Sequence, residues 1–197
     1  MDGFSPLPMA DEPRERRDAV RNRQTLLASA RCLVEQGGVC AVTMDAVAAH
    51  AGVGKGTVFR RFESREGLMG ALLNQSEEEW QAAVLRGPAP LGPGAPPLER
   101  LLAFGQSRIE ANLRLADLIS AAGGGRSYAA YSFTAIHVRH LLDELDVAGD
   151  IALLATALLA PLETVILQQQ TEIEQMSTER ILNGWTELVR RVIAVRR

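Results

Sequence analysis

The sequence predicts an all-α chain in two parts, a compact three-helix head followed by a longer helical domain. Three observations predict it. Apolar residues recur at intervals of three and four over most of the 197 residues, the spacing that lays them on one face of a helix. Glycine and proline interrupt that spacing at Gly37 and Gly38, at Gly52 and Gly54, in the five-proline stretch from residue 86 to 97, and at residues 123 to 125. Charge is divided along the chain: residues 14 to 65 carry ten basic and five acidic side chains, residues 66 to 197 eleven basic and sixteen acidic. With 47% apolar residues the chain can bury one or two cores. The expected division is a flexible tail over 1–13, a head over 14–66 and a second domain over 67–197.

The tail holds three prolines and three acids with little to bury. A basic arm follows, Arg14, Arg16, Arg17, Arg21 and Arg23. It leads into a first helix whose stripe of Val20, Leu26, Leu27, Ala30, Leu33 and Val34 should pack on the two helices after it. Gly37 and Gly38 end that helix. The second opens at Thr43, whose hydroxyl can accept from an orphan N–H, and turns Val47 and Ala51 inward. Gly52 lets the chain reverse at positive φ, and Val53 is expected to plug the angle between helices. The third begins near Lys55 and runs about eight residues, roughly 12 Å, a length suited to a DNA major groove about 12 Å wide. Val58 and Phe62, four apart, face inward, leaving Lys55, Thr57, Arg60 and Arg61 to meet phosphates and guanine edges.

This is the layout of a helix-turn-helix DNA reader. Lys55, Gly56 and Thr57 are the expected base-edge residues, with Arg60 beside them. Thr43, Phe59, Arg61 and Arg65 are expected on the sugar-phosphate backbone. The head carries a net +5 and the chain beyond it a net −5, so only the head is built to meet phosphates. A solvated helix hairpin with surface arginines is the plain alternative.

Residues 17 to 72 resemble the DNA-binding domain of the TetR family of transcriptional regulators. The resemblance is carried by Thr43, by Ala51-Gly52-Val53, by Gly56-Thr57-Val58, by Phe59, Arg60, Arg61 and Phe62, and by Ser64-Arg65-Glu66-Gly67-Leu68. Two positions depart from the family pattern. The aromatic is usually a tyrosine whose hydroxyl bonds a phosphate, and Phe59 has only its ring to stack. Lysine is commoner at position 65, where Arg65 keeps the charge and adds a fork. The resemblance implies binding to double-stranded operator DNA and repression, relieved by a small-molecule effector of unknown identity. In that mechanism the effector tilts the helix of residues 64 to 85 and changes the separation of two recognition helices.

That helix runs through Leu68, Met69, Leu72, Leu73 and Trp80, beginning in the head and ending in the next domain. After the proline-rich loop a helix resumes at Pro97, which suits a first turn, and sets Leu101, Phe104, Arg108, Asn112 and Leu115 on one face up to about Ser120. Another, over residues 128 to 145, presents Phe133, Ile136, His137, His140, Leu141 and Leu145. The helix over 149 to 169 is apolar almost all round and must be covered on two sides. Pro161 inside it removes a backbone bond and can bend the axis. The last helix starts at Ser177 as N-cap. Phe104, Arg108, Asn112, His137, Leu141 and Pro161 suit equally a ligand pocket with polar anchors or a solid core with polar edges. Packing the last two helices leaves an apolar face of Ile151, Leu154, Leu158, Leu162, Val165, Trp185, Leu188 and Val192. A second copy would bury it as a four-helix bundle. The resulting homodimer reads two half-sites about 34 Å apart or more.

No Walker loop, dinucleotide fingerprint, zinc-protease helix or nucleophile elbow occurs, so no catalytic residue, cofactor or metal is expected. An enzyme would have to build on Glu163, the acid in the apolar helix. His137 and His140, with Asp143 and Glu144 one turn on, have helical metal spacing but no further ligand in sequence. Cys32 and Cys40 are too few for a disulfide framework and are expected as buried thiols, a redox switch being the sharper alternative. No charged-then-apolar leader and no uncharged run of 18 apolar residues occurs, so a cytoplasmic protein without a membrane partner is expected.

Overall fold

The computed structural model describes residues 12–123 and 128–194, without the side chains of 12–16 and 128–130. The fold is all-α, and the chain divides into two compact units, Met1–Leu72 and Leu73–Arg197.

In the first unit α1 (Glu12–Gly37), α2 (Met44–Ala51) and α3 (Lys55–Phe62) pack together, with a 3-10 turn at Val39–Ala41. Leu26, Leu27 and Ala30 of α1 are buried, as are Val47, Ala48, Val58 and Phe62 of the short pair. At 1.5 Å per residue α1 is about 39 Å long and its two partners about 12 Å each, so they cover only part of it. Val20, expected in the buried stripe, is accordingly exposed. Of the tail expected over 1–13, residues 1–11 lie outside the described residues, while Glu12 and Pro13 already belong to α1. The basic arm is therefore not a separate segment but the opening turns of α1.

Gly52 takes φ 67 and ψ 31, and the Val53 N–H closes on Ala48 O at 3.0 Å, a left-handed helix end that a side chain resists. Val53 sits at the tip of this reversal and is exposed, so it does not plug the helix angle as expected. Met44, Val47 and Ala48 of α2 supply the buried side chains there. A longer helix, α4 (Arg65–Arg86), begins where the Ser64 hydroxyl accepts from Gly67 N at 3.0 Å, and Leu68, Met69 and Leu72 are buried.

The second unit holds α5 (Pro97–Arg114), α6 (Ala116–Ala121), α7 (Tyr128–Glu144), α8 (Ile151–Leu159), α9 (Thr164–Gln168) and α10 (Thr178–Ile193). Its core joins Leu101, Phe104 and Ile109 of α5 to Val138, Leu141 and Leu142 of α7, and to Leu158, Leu167, Trp185 and Val189. Gly105 gives Trp185 its room, because a Cβ there would run into the indole ring. On α7, Ile136 lies off the stripe through Ala135, Val138 and Leu142 and is exposed, against expectation. Gly123 ends its segment at φ 91, and the next two glycines lie outside the described residues.

The apolar run expected as one helix is broken. Asp150 caps α8 by accepting from Ala152 N and Leu153 N, but Pro161 has no N–H to continue the ladder. A 3-10 turn at Ala160–Leu162 follows, Glu163 is extended at ψ 138, and α9 resumes bent by 45°. No single described helix is long and apolar enough to cross a membrane; the bent pair Ile151–Leu162 and Thr164–Ile173 has the composition only jointly, and it buries Leu158, Leu159, Leu162 and Leu167 in the core.

The expected dimer face needs correcting in the same region. Leu158, Leu162 and Trp185 are buried within this chain, with Trp185 Nε1 donating to Leu158 O at 2.9 Å. Ile151, Leu154, Leu188 and Val192 are half-buried against the same core. The last helix turns its apolar stripe inward, and the large apolar side chains left uncovered along the bent run are Leu153 at 68% exposure, Val165 at 71% and Ile173 at 70%, with Ile166 less exposed.

Candidate nucleic-acid interface

Val58 and Phe62 are four residues apart on α3 and both are buried, which fixes the rotation of this helix about its axis. Lys55, Gly56, Phe59, Arg60 and Arg61 are consequently exposed, and Thr57 is half-buried at their edge. Gly54 leads into α3 without a side-chain cap, and its carbonyl takes the Thr57 N–H at 2.9 Å, which leaves the N–H groups of Lys55 and Gly56 at the open helix start. A Cβ at Gly56 would meet nothing within 4 Å. The chain itself therefore gives no packing reason for glycine at this helix position.

Lys55 Nζ lies 2.8 Å from Asp45 Oδ2, with 57% and 65% of the two side chains exposed, a surface pair that water and salt weaken. The same ammonium stands 5.7 Å from the Phe59 ring centroid. Asp45 was not legible as a partner, since ten residues and a turn separate the two. Thr43 is the N-cap of α2, its hydroxyl accepting from Ala46 N at 3.0 Å, which leaves the hydroxyl hydrogen to donate elsewhere.

The two later arginines differ from expectation. Arg61 Nη2 donates to Ala19 O at 2.8 Å, tying α3 to α1, while the rest of the guanidinium stays exposed. Arg65 is a correction. Its Nε donates to Val42 O and its Nη2 to Val39 O, both at 2.8 Å, in a half-buried setting. It closes the connection before α2 and is not presented to a phosphate. Arg60 alone of the three has neither hydrogen bond nor ion pair among the described residues. Next to Arg65, the Glu66 carboxyl is held below its ordinary range by its own backbone N–H, then by the Ser64 hydroxyl and the Arg65 charge.

In the second unit the expected pocket residues are engaged in contacts within that unit. Phe104 stacks on His137 with centroids 5.3 Å apart, Phe133 stacks on the same imidazole at 6.2 Å, and Trp80 meets Phe104 edge-on at 5.2 Å. Arg108, 2% exposed, pairs with Glu77 at 2.8 Å beneath the Trp80 ring at 4.2 Å. Asn112 Nδ2 donates to Leu162 O at 2.6 Å, catching a carbonyl of the turn that Pro161 creates. Leu141 is fully buried and Pro161 half-buried. His137 Nε2 is among the buried side-chain atoms without a hydrogen bond, as are Gln75 Oε1 and Gln170 Oε1. Burial, then the charges of Arg100 and His140, push the His137 pKa down to about 4. Glu77 was missed in the sequence, where it is one of three consecutive glutamates with no mark to single it out.

His140 is exposed and 3.7 Å from Glu144, while His137 faces the aromatic cluster, so the two imidazoles do not converge. Among the described residues no three metal-ligating side chains gather. Cys32 is half-buried and Cys40 exposed, which corrects the expectation of two buried thiols.

Residues 26–72 match the family model of bacterial regulatory proteins, tetR family. The fold resembles a TetR-family transcriptional regulator from Pectobacterium atrosepticum, at 21% identity and a TM-score of 0.67 over 92% of this chain and 99% of that one. It also resembles the reduced form of Escherichia coli NemR, at 18% identity and 0.53 over 87% and 96%. A TetR-like transcriptional regulator from Rhodococcus sp. RHA1 aligns at 22% identity and 0.50 over 88% and 96%. No curated protein matches the sequence.

Proposed function

We propose, from the match of residues 26–72 to the tetR-family model, that the chain is a TetR-family homodimeric repressor released from its operator by a small molecule. A TetR-family chain of this kind is a DNA-binding transcriptional regulator. The observation that carries the reading is α3: two buried side chains fix its rotation, and Lys55, Gly56, Phe59 and Arg60 stand on the outer face. Lys55, Gly56 and Thr57 approach base edges, where a bare Gly56 lets the helix backbone come close. Arg60, Arg61, Phe59 and the free donor of Thr43 hold the backbone, which positions the helix without reading sequence.

Two copies place two such helices on half-sites about 34 Å apart, acting in the cytoplasm on double-stranded operator DNA. The second unit receives the effector beside Phe104, His137 and Leu141, with Arg108, Asn112 and Pro161 around it. The effector shifts the protein toward a form with a different spacing of recognition helices, and it does so only by binding that form more tightly.

The test is titration of the full chain with duplexes drawn from its own promoter region at several salt concentrations. Affinity should fall steeply with salt, and Lys55→Ala should weaken the preferred duplex more than a random one. Absence of any duplex binding at low ionic strength would end this reading.

A further inference from the structure

Arg100 and Phe104 stand four residues apart on α5, and Phe133 and His137 four apart on α7, so each pair shares one face of its helix. The two faces meet. Phe104 and Phe133 both stack on the His137 imidazole, at 5.3 and 6.2 Å, and Trp80 meets the two phenylalanines edge-on at 5.2 and 6.1 Å. Two polar atoms of this group are left without a partner. His137, 7% exposed, buries Nε2 without a hydrogen bond, and Arg100 does the same with its Nε. Burial, and then the nearby Arg100 charge, hold the imidazole pKa at about 4, so at neutral pH the ring is uncharged and can accept a hydrogen bond. The neighbouring cations are already balanced: Arg108 pairs with Glu77 at 2.8 Å, and Arg100 Nη1 lies 3.8 Å from Glu144. An unpaired buried atom is costly, and a ligand that completes it gains what the empty protein lacks.

We infer that this cluster binds an uncharged phenol, its ring stacked with Phe133 and Phe104 and its hydroxyl donating to His137 Nε2 while accepting from Arg100 Nε, and that the effector is of this class. The inference rests on the reading of the second unit as the effector's seat and adds the effector's chemistry. A hydroxyl carries both a donor and an acceptor, so one such group completes both atoms. An ether oxygen completes only the arginine. A carboxylate does no more, and it brings a charge to a place where both arginines already have a carboxylate. Trp80 and Phe133 are half-buried, which puts the entrance on their side, and the Phe133 stack is the wider of the two. Planar rings suit such a frame because offset and edge-on contacts to several aromatic neighbours add together.

The test uses the full chain at about pH 7.5, where a phenol is uncharged. It is titrated with 4-ethylphenol, with 4-ethylanisole, which keeps the ring and oxygen but has no donor, and with 4-ethylbenzoate, which adds a charge. Binding is followed by the His137 imidazole NMR signals and by tryptophan fluorescence, and each compound is also added to the protein on duplexes from its own promoter region. 4-Ethylphenol should saturate the signals roughly tenfold more tightly than either analogue, and should lower duplex affinity. In His137→Phe, which keeps a ring, fluorescence should show the phenol and the anisole binding alike. If that variant fails to fold, the wild-type order of the three compounds decides. Phenol and anisole binding equally to the wild type would overturn the inference. Release of the duplex by 4-ethylbenzoate without any response to the phenol would keep the effector reading and overturn the phenol class. Saturable, His137-dependent phenol binding that leaves duplex affinity unchanged would keep the phenol seat and overturn the effector reading.

Discussion

Removing the Arg65 guanidinium takes the donors from two carbonyls, Val39 O and Val42 O, that sit in a half-buried connection. Charge-assisted bonds of this kind are worth more than neutral ones, so Arg65→Ala should lower stability by about 2 kcal/mol, read as an earlier denaturation midpoint. Lysine cannot reach both carbonyls with one ammonium, so Arg65→Lys should recover only part of the loss. Gly56 predicts the opposite pairing of effects. Its Cβ position is open, so Gly56→Ala should raise helix stability by up to about 1 kcal/mol while weakening DNA binding. A variant that is more stable and binds DNA as well as wild type would show that close backbone approach is not needed there. For His137 the sign follows from a folded pKa of about 4 against an ordinary 6.5. Between those values the unfolded chain holds more protons, so stability is full above about pH 6.5 and declines as pH falls toward 4. The slope is at most about 1.4 kcal/mol per pH unit, and His137→Phe should flatten it in thermal melts taken across that window.

At the level of elements, most boundaries follow from local chemistry. The cap at Thr43, the left-handed end at Gly52, Pro97 in a first turn and Ser177 before α10 are all short-range signals, and each is found where the residues place it. The break at Pro161 was legible as a bend but not as a full interruption, because proline states only that a donor is missing. What makes the interruption stable is Asn112, fifty residues away, whose amide takes the Leu162 carbonyl. Gly105 is a similar case: nothing near it in sequence requires glycine, and only Trp185 packing over it does. Gly105→Ala should therefore destabilise by about 1–3 kcal/mol despite better helix propensity, measurable as a fall in denaturation midpoint. An unchanged midpoint would mean that Trp185 moves aside freely.

On the scale of the whole molecule, the sign of charge separates the two units and the apolar surface suggests how copies meet. Leu153, Val165 and Ile166 remain uncovered on α8 and α9. If a second copy covers them, Leu153→Glu with Val165→Glu should give a monomer by sedimentation and cut operator affinity sharply, with each chain still folded. A double variant that stays dimeric would move the interface elsewhere. The sequence by itself determined the helical class, the turn at Gly52, the inward pair Val58 and Phe62, and the partition of charge, because each depends on residues within a few turns of one another. Tertiary structure alone decided which arginine is free and which is a staple, which face of the last helix is core, and which buried atom of His137 lacks a partner. Those outcomes depend on which distant backbone carbonyl or ring comes to lie opposite a side chain, and spacing along one helix carries no information about its neighbour.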